Sequence, residues 1–343
     1  MIEEETLTLI AMVLSLAAIL VAAILFTNAV EILGERLNLG QGAVGSLLAA
    51  VGTALPETMI PVVAIVGAMI SGDSGGSAGE IGIGAILGAP FLLTTLAMFV
   101  VGASVLGFRG RRDNGTEVSV DKETAKRDLR FFIPCFAVAA GVGIIVMPMF
   151  VKIIVAVGLL AAYVLYVVKT LQAEGGQGEE TPDNLTLWPG TSPPTWAVVA
   201  QVVGSLAIMV AGAHFFVGAI ESGSKAVGIP AGLVALVLAP LATELPEKFN
   251  SVIWVREGKD TLAFGNIAGA MVFQSTIPVT IGVLLTKWEL NFINIVAVGL
   301  TLFSGVCLYA LLSAKRPVNA YFLRGGGVLY AAFVAVAIVN VLG

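Results

Sequence analysis

Charge is what this sequence has least of. Asp, Glu, Lys and Arg make up 12% of its 343 residues against 57% hydrophobic ones, where a soluble domain carries roughly 25% charged residues. With a mean hydropathy of +0.97, that shortage excludes a water-soluble fold and places the chain in lipid. Histidine is almost missing too: His214 stands alone, which excludes a histidine-rich metal centre. The two cysteines, Cys135 and Cys307, both lie in apolar segments and give no disulfide framework. There is no His-Glu-x-x-His, no zinc-capable cluster and no serine with a neighbouring base, so a membrane-embedded hydrolase has nothing to work with. The chain does not read as an enzyme, calls for no cofactor, and is not expected to bind nucleic acid; its net charge is −5, but in a membrane protein the distribution of Lys and Arg says more than the sum. The opening Met1-Ile-Glu-Glu-Glu-Thr also lacks the basic region of a cleavable signal peptide. The first apolar segment is therefore expected to remain as a membrane helix.

What is present is a series of apolar runs long enough to span about 30 Å of hydrocarbon. They fall near 7–30, 43–70, 81–107, 131–148 and 150–170, then 196–222, 230–255, 262–286, 290–313 and 318–342. The predicted fold is an all-α membrane protein of ten transmembrane helices. Residues 1–170 form one group of five spans, 171–195 a polar cytoplasmic linker, and 196–343 a second group of five. The boundary between the fourth and fifth spans rests on Pro148 and Lys152 alone. With the N-terminus outside, the cytoplasmic connections hold thirteen Lys and Arg (Arg36; seven between Arg109 and Arg130; Lys169; Arg256 and Lys259; Lys315 and Arg316). The external connections hold three, Lys152, Lys225 and Lys287. Such a bias sets orientation, so both termini are expected outside, in the plasma (inner) membrane of a prokaryote.

An odd number of spans per group makes the two groups insert upside down relative to each other. At an offset of 190, without a gap, Phe26, Ala29, Glu31, Gly42, Thr53, Leu55, Pro56 and Glu57 match Phe216, Ala219, Glu221, Gly232, Thr243, Leu245, Pro246 and Glu247. After a shorter loop, Gly84-Ala85-Ile86-Leu87-Gly88-Ala89 matches Gly265-Asn266-Ile267-Ala268-Gly269-Ala270. These are two inverted five-helix repeats, with small residues that let helices approach across a pseudo-twofold axis.

Each repeat places a proline and a carboxylate mid-span: Gly52-Thr53-Ala54-Leu55-Pro56-Glu57 and Ala242-Thr243-Glu244-Leu245-Pro246-Glu247. A charge at bilayer depth costs about 2.5–3.5 kcal/mol even on the lenient insertion scale. Each proline removes a donor and frees the carbonyl one turn earlier, near Thr53 and Thr243, and in lipid that carbonyl needs a partner. Carboxylate, hydroxyl and carbonyl together are hard ligands that suit Na⁺ or Ca²⁺ and not soft metals. The expected site is a midplane cation site on an interrupted helix pair.

These two motifs resemble the alpha repeats of the sodium/calcium exchanger family, within the cation/calcium antiporter superfamily. Its pattern is Gly-(Thr/Ser)-Ser-Leu-Pro-Glu on one helix and Gly-Asn-x-x-Gly-Ser-Asn-x-x-(Asn/Asp) on the next. The resemblance extends over nearly the whole chain. It implies alternating-access antiport of Ca²⁺, or a related divalent cation, against Na⁺ or H⁺, with the first and sixth spans sliding against a core. It also implies a ligand role for Thr53, Glu57, Thr243 and Glu247, and for Gln274 at a ligand position of the eighth span. Inorganic cations and membrane lipid are the implied partners; the oligomeric state is left open.

The departures from the pattern are as informative. The motif serine is Ala54 in the first repeat and Glu244 in the second. The polar positions of the third span read Ala85, Ala89, Pro90 and Leu93; on the eighth Asn266 is kept, while Ala270, Met271 and Gln274 differ. The oxygens of a three-sodium, one-calcium arrangement are therefore incomplete. That opens two alternatives: a proton-coupled antiporter for another cation, and a transport-inactive protein of exchanger fold.

Glu244 has two readings. It either joins the cation site, sharing a proton with Glu247 when no cation is bound, or pairs with Lys248 four residues on. In the second case the ammonium would occupy a former cation subsite and weaken sodium coupling. Glu31 and Glu221 read as interfacial residues, or as a gate. His214 reads as a packing residue, with proton shuttling as the alternative. Asn266 reads as a ligand or an interhelical hydrogen bond. The acidic stretch of Glu174, Glu179, Glu180 and Asp183 lacks calcium-loop spacing and reads as flexible linker. The basic segment 109–130 reads as a topology signal lying near anionic lipid.

Overall fold

The computed structural model describes residues 2–36, 43–72, 76–173, 184–190, 192–314 and 317–342. Its helices are α1 (Ile2–Arg36), α2 (Ala43–Ile70), α3 (Ser77–Leu92), α4 (Met98–Phe108), α5 (Lys122–Ile144), α6 (Met149–Ala173) and α7 (Thr195–Val227). Then follow α8 (Ala231–Arg256), α9 (Asp260–Gln274), α10 (Ile277–Leu285), α11 (Phe292–Ser313), a short α12 (Ala320–Leu323) and α13 (Gly325–Leu342). Among the described residues seven helical stretches are long and apolar enough to cross a bilayer, and Ala54–Ile70 and Ala231–Glu244 are shorter apolar helices within α2 and α8. With α5, which carries its charges at its start, they make the ten crossings in two inverted groups of five. The fourth and fifth spans separate as α5 and α6, across a turn that holds Pro148.

The repeat is visible in how the helices pack. α1 lies along α7; α5 packs on α9 as α11 packs on α3; α6 packs on α10 as α13 packs on α4 and the turn before it. The long apolar faces left outside, such as Leu9, Val13 and Ile24 on α1 and Val203 and Phe215 on α7, are exposed, as suits helices whose outer solvent is lipid.

Where the helices break differs from the expectation. Both α2 and α8 run on through their motif prolines as unbroken helices. The irregular backbone sits instead on the neighbouring spans. Leu93–Ala97 forms a π-helical turn between α3 and α4, and Ser275-Thr276 separates α9 from α10. Under the glycine match these two places coincide, Leu93 falling on Gln274. A π turn leaves backbone carbonyls out of the regular ladder. Here Thr94 Oγ1 donates to Pro90 O at 2.9 Å, and Ser304 on α11 donates to Thr94 O at 2.7 Å. In the second repeat Thr276 Oγ1 donates to Val272 O at 2.8 Å and Ser275 Oγ to the same carbonyl at 3.0 Å. Side chains thus take up what the backbone gives away.

Glycines set the closest helix approach. A Cβ on Gly84 would lie 2.1 Å from Gly232 O, and one on Gly88 would lie 2.1 Å from Leu236 O and 2.8 Å from Pro240 Cγ. Residues 80–88 of α3 are therefore seated on residues 232–240, the first half of α8, backbone to backbone.

The connections that carry most of the Lys and Arg are more ordered than a surface basic segment would be. Arg112 is buried against Asp260, the first residue of α9: Nη1 donates to Oδ1 at 2.8 Å and Nη2 to Oδ2. Ser119 N–H adds a bond to Asp260 Oδ2 at 2.8 Å, and Arg112 Nη1 also reaches Val255 O at the end of α8. The adjoining strand β1 (Glu117–Val118) pairs antiparallel with β2 (Val318–Asn319). Asp121 then caps α5, accepting from the Thr124 hydroxyl at 2.7 Å and Glu123 N–H at 3.0 Å. The Thr124 bond, first among these, holds its carboxyl below the usual range. The basic segment is thus a buckle between the repeats.

The acidic stretch Glu174–Asp183 lies outside the described residues. The segment after it is docked: Leu185 is buried with Ala29, Ile32, Ala197 and Val198, and Asn28 Oδ1 accepts from Thr186 N–H at 2.9 Å. The end of the linker is therefore pinned between α1 and α7.

Candidate cation site

The site is built on the middles of α2 and α8, which pack against each other. Glu57 sits at the middle of α2, 7% exposed. Next to it Thr58 is buried, its Oγ1 donating to Ala54 O at 2.7 Å, close to the backbone that Pro56 disturbs. The side chains of Thr53 and Glu247 lie outside the described residues. On α8, Thr243 is buried and its hydroxyl donates to Ala239 O at 3.1 Å. That bond uses its proton and leaves the oxygen lone pairs for a cation. Gln274 is buried at the last turn of α9, where the helix stops.

Glu244 and Lys248 are each 1% exposed and form an ion pair, Nζ 3.2 Å from Oε2. Lys248 also donates to Asn266 Oδ1 on α9 at 3.0 Å. Of the two readings of Glu244, the structure has the pairing. Asn266, in turn, forms an interhelical hydrogen bond. Removing either charge of such a pair leaves the other buried alone, which costs about 3–5 kcal/mol.

The polar positions expected on the third span are filled by packing. Ala85 lies in an apolar cluster with Ile19, Ile60 and Ala64, and Ala89 and Leu93 are buried. Among the described residues the second repeat supplies more buried side-chain oxygen than the first. His214 stands on the exposed face of α7 beside Phe215, away from the buried face that carries Gly212, Ala213 and Phe216. Glu221 accepts a hydrogen bond from Ser77 at the start of α3 and lies 3.8 Å from Lys225; α7 is tied there to α3.

Two buried oxygens escaped the sequence reading. Ser251 Oγ and Thr280 Oγ1 accept and donate no hydrogen bond among the described residues. Ser251 is legible in retrospect, because 244, 248 and 251 recur at i, i+4 and i+7 and form one polar stripe on an apolar helix. Thr280 has no such signal.

The whole chain is built like known exchangers. Its fold is similar to that of the H⁺/Ca²⁺ exchanger CAX, with a TM-score of 0.71 at 18% identity over 98% of this chain and 86% of that one. The sodium-calcium exchanger NCX_Mj gives 0.57 at 18% identity, over 96% of this chain and 99% of the other. The protein YfkE gives 0.65 at 14%, over 99% and 98%. By sequence, 92 residues are 29% identical to the putative antiporter CaxA of Alkalimonas amylolytica. That match spans 27% of this chain and 29% of the relative. The family model described as sodium/calcium exchanger protein matches residues 7–171 and 197–342, one block for each repeat. Matched on both repeats, the chain belongs to the sodium/calcium exchanger family of multi-pass membrane proteins.

Proposed function

We propose that this protein is a secondary active antiporter that exchanges Ca²⁺, or a related divalent cation, for Na⁺ or H⁺ by alternating access. The observation that carries the reading is Glu57, a carboxylate buried at the middle of a membrane helix and matched by Glu247 at the same place in the inverted repeat. The cation binds between these two carboxylates, helped by Thr53, Thr243, Gln274 and the carbonyls beside the prolines. The relatives are described as exchangers of Ca²⁺ with H⁺ and of sodium with calcium, which supports the choice of ions.

The mechanism follows from charge. An empty site holding two carboxylates resists passage of an apolar barrier; a bound cation neutralises it and lets α1 and α7 slide over the core. Exchange is then obligatory. The orientation that goes with this reading has both termini outside, by the excess of Lys and Arg on the opposite side. A proton as the counter-ion is favoured by Ala85, Ala89, Pro90 and Leu93, which offer no oxygen for sodium.

The test is uptake of radioactive calcium into proteoliposomes loaded with sodium, compared with vesicles carrying only a pH gradient. Uptake in either arm supports the reading and names the coupling ion. Silence in both, with other divalent ions also idle, would sink it.

A further inference from the structure

The second repeat carries a charged pair that the first lacks. At the offset of 190, Glu244 and Lys248 fall on Ala54 and Thr58. In α2 that pair is a methyl group and a hydroxyl bonded back to the Ala54 carbonyl at 2.7 Å. In α8 it is a carboxylate and an ammonium, both all but fully buried. Stability does not explain it, since a buried ion pair is often no better than packed apolar side chains of similar volume.

The ligands of the ammonium suggest another role. Lys248 Nζ is met by a carboxylate oxygen at 3.2 Å and by an amide oxygen of Asn266 at 3.0 Å. A carboxylate oxygen and an amide oxygen are hard donors of the kind that hold a hard cation. An ammonium, with three donors and one positive charge, is the covalent equivalent of that cation.

We propose that the Lys248 ammonium is a resident cation of the transport site, standing where a transported monovalent cation would otherwise bind. This rests on the reading of Glu57 and Glu247 as ligands. Three carboxylates (Glu57, Glu244 and Glu247) and one ammonium leave the site with two net negative charges. One divalent cation neutralises it, and so do two monovalent cations. The exchange is therefore electroneutral, one divalent for two monovalent ions, and Lys248 sets that ratio as a specificity-determining residue.

Two measurements test this. In the first, purified protein in detergent is melted in sodium chloride and in choline chloride of equal ionic strength. Lys248→Gln opens the subsite and gains a sodium-dependent rise in Tm about 2–4 °C beyond that of wild type. Lys248→Arg and the double variant Glu244→Gln/Lys248→Gln gain none. In the second, calcium uptake into proteoliposomes is followed while the membrane potential is set with potassium and valinomycin. Wild type, Lys248→Arg and the double variant are insensitive to potential, whereas Lys248→Gln becomes sensitive.

A sodium response of Lys248→Gln equal to that of wild type would overturn the proposal, as would wild-type uptake that scales with potential. A wild type that carries no cation at all would defeat the antiporter reading alone, because the melting comparison needs no transport. Should Lys248→Gln fail to fold, wild type and Lys248→Arg decide through their response to potential.

Discussion

At the scale of single residues, two buried cations are met by specific partners. Lys248 is answered by Glu244 and Asn266, and Arg112 by Asp260, Ser119 and Val255. The second pair lies outside the proposed transport path and is the cleaner test of what a buried partner is worth. Arg112→Met leaves Asp260 buried without its cation, at a cost of about 3–5 kcal/mol. Thermal unfolding in detergent should show a clear fall in Tm, with much of it regained in Arg112→Met/Asp260→Leu. If the single variant melts like wild type, the buckle contributes nothing to stability. Residue identity was also where the sequence could be read most directly. Glu57 and its match Glu247 stand out because a carboxylate in an apolar run is costly. The partner of Glu244 was not decidable, because Pro246 lies within the turn and spacing alone could not say whether Lys248 reaches back. Asn266 completes that pair from another helix, which no local pattern encodes.

At the scale of elements, proline suggested a break that the helices do not make. A helix tolerates proline when other groups take up the freed carbonyl, and both α2 and α8 continue. The irregular turns fall at Leu93–Ala97 and Ser275-Thr276, where the sequence shows Thr and Ser but no glycine and no charge. Their position depends on Ser304 and on neighbouring helices, so it was not legible locally. The matched small-residue segments were legible, and close packing is found at Gly84 and Gly88 but not at Gly265 and Gly269, where a Cβ would meet nothing closer than 3.5 Å. At Gly88 the approaching atoms are the Leu236 carbonyl and the Pro240 ring, neither of which can move aside cheaply. Gly88→Leu should therefore separate α3 from α8, destabilise the protein by at least about 1–3 kcal/mol, and lower calcium flux in proportion to the protein still folded or further. Unchanged melting and flux would show that this contact is not close in the working protein.

At the scale of the whole molecule, the ten spans, the inversion and the family were all legible, because bilayer thickness fixes span length and a duplicated motif fixes the symmetry. What symmetry hides is how unequal the two repeats have become. The first offers Glu57 beside a Thr58 hydroxyl bonded back to its own helix, while among the described residues the second offers Thr243, Gln274, the Glu244–Lys248 pair and a Ser251 hydroxyl with no hydrogen bond. The account makes one carboxylate from each repeat indispensable despite that inequality. The measurement that bears on it most directly is calcium flux into proteoliposomes by Glu57→Gln and Glu247→Gln, each compared with wild type at equal amounts of folded protein. The account predicts that either variant inserts and melts as a folded protein yet exchanges no calcium above empty vesicles. Full flux from either one would contradict it.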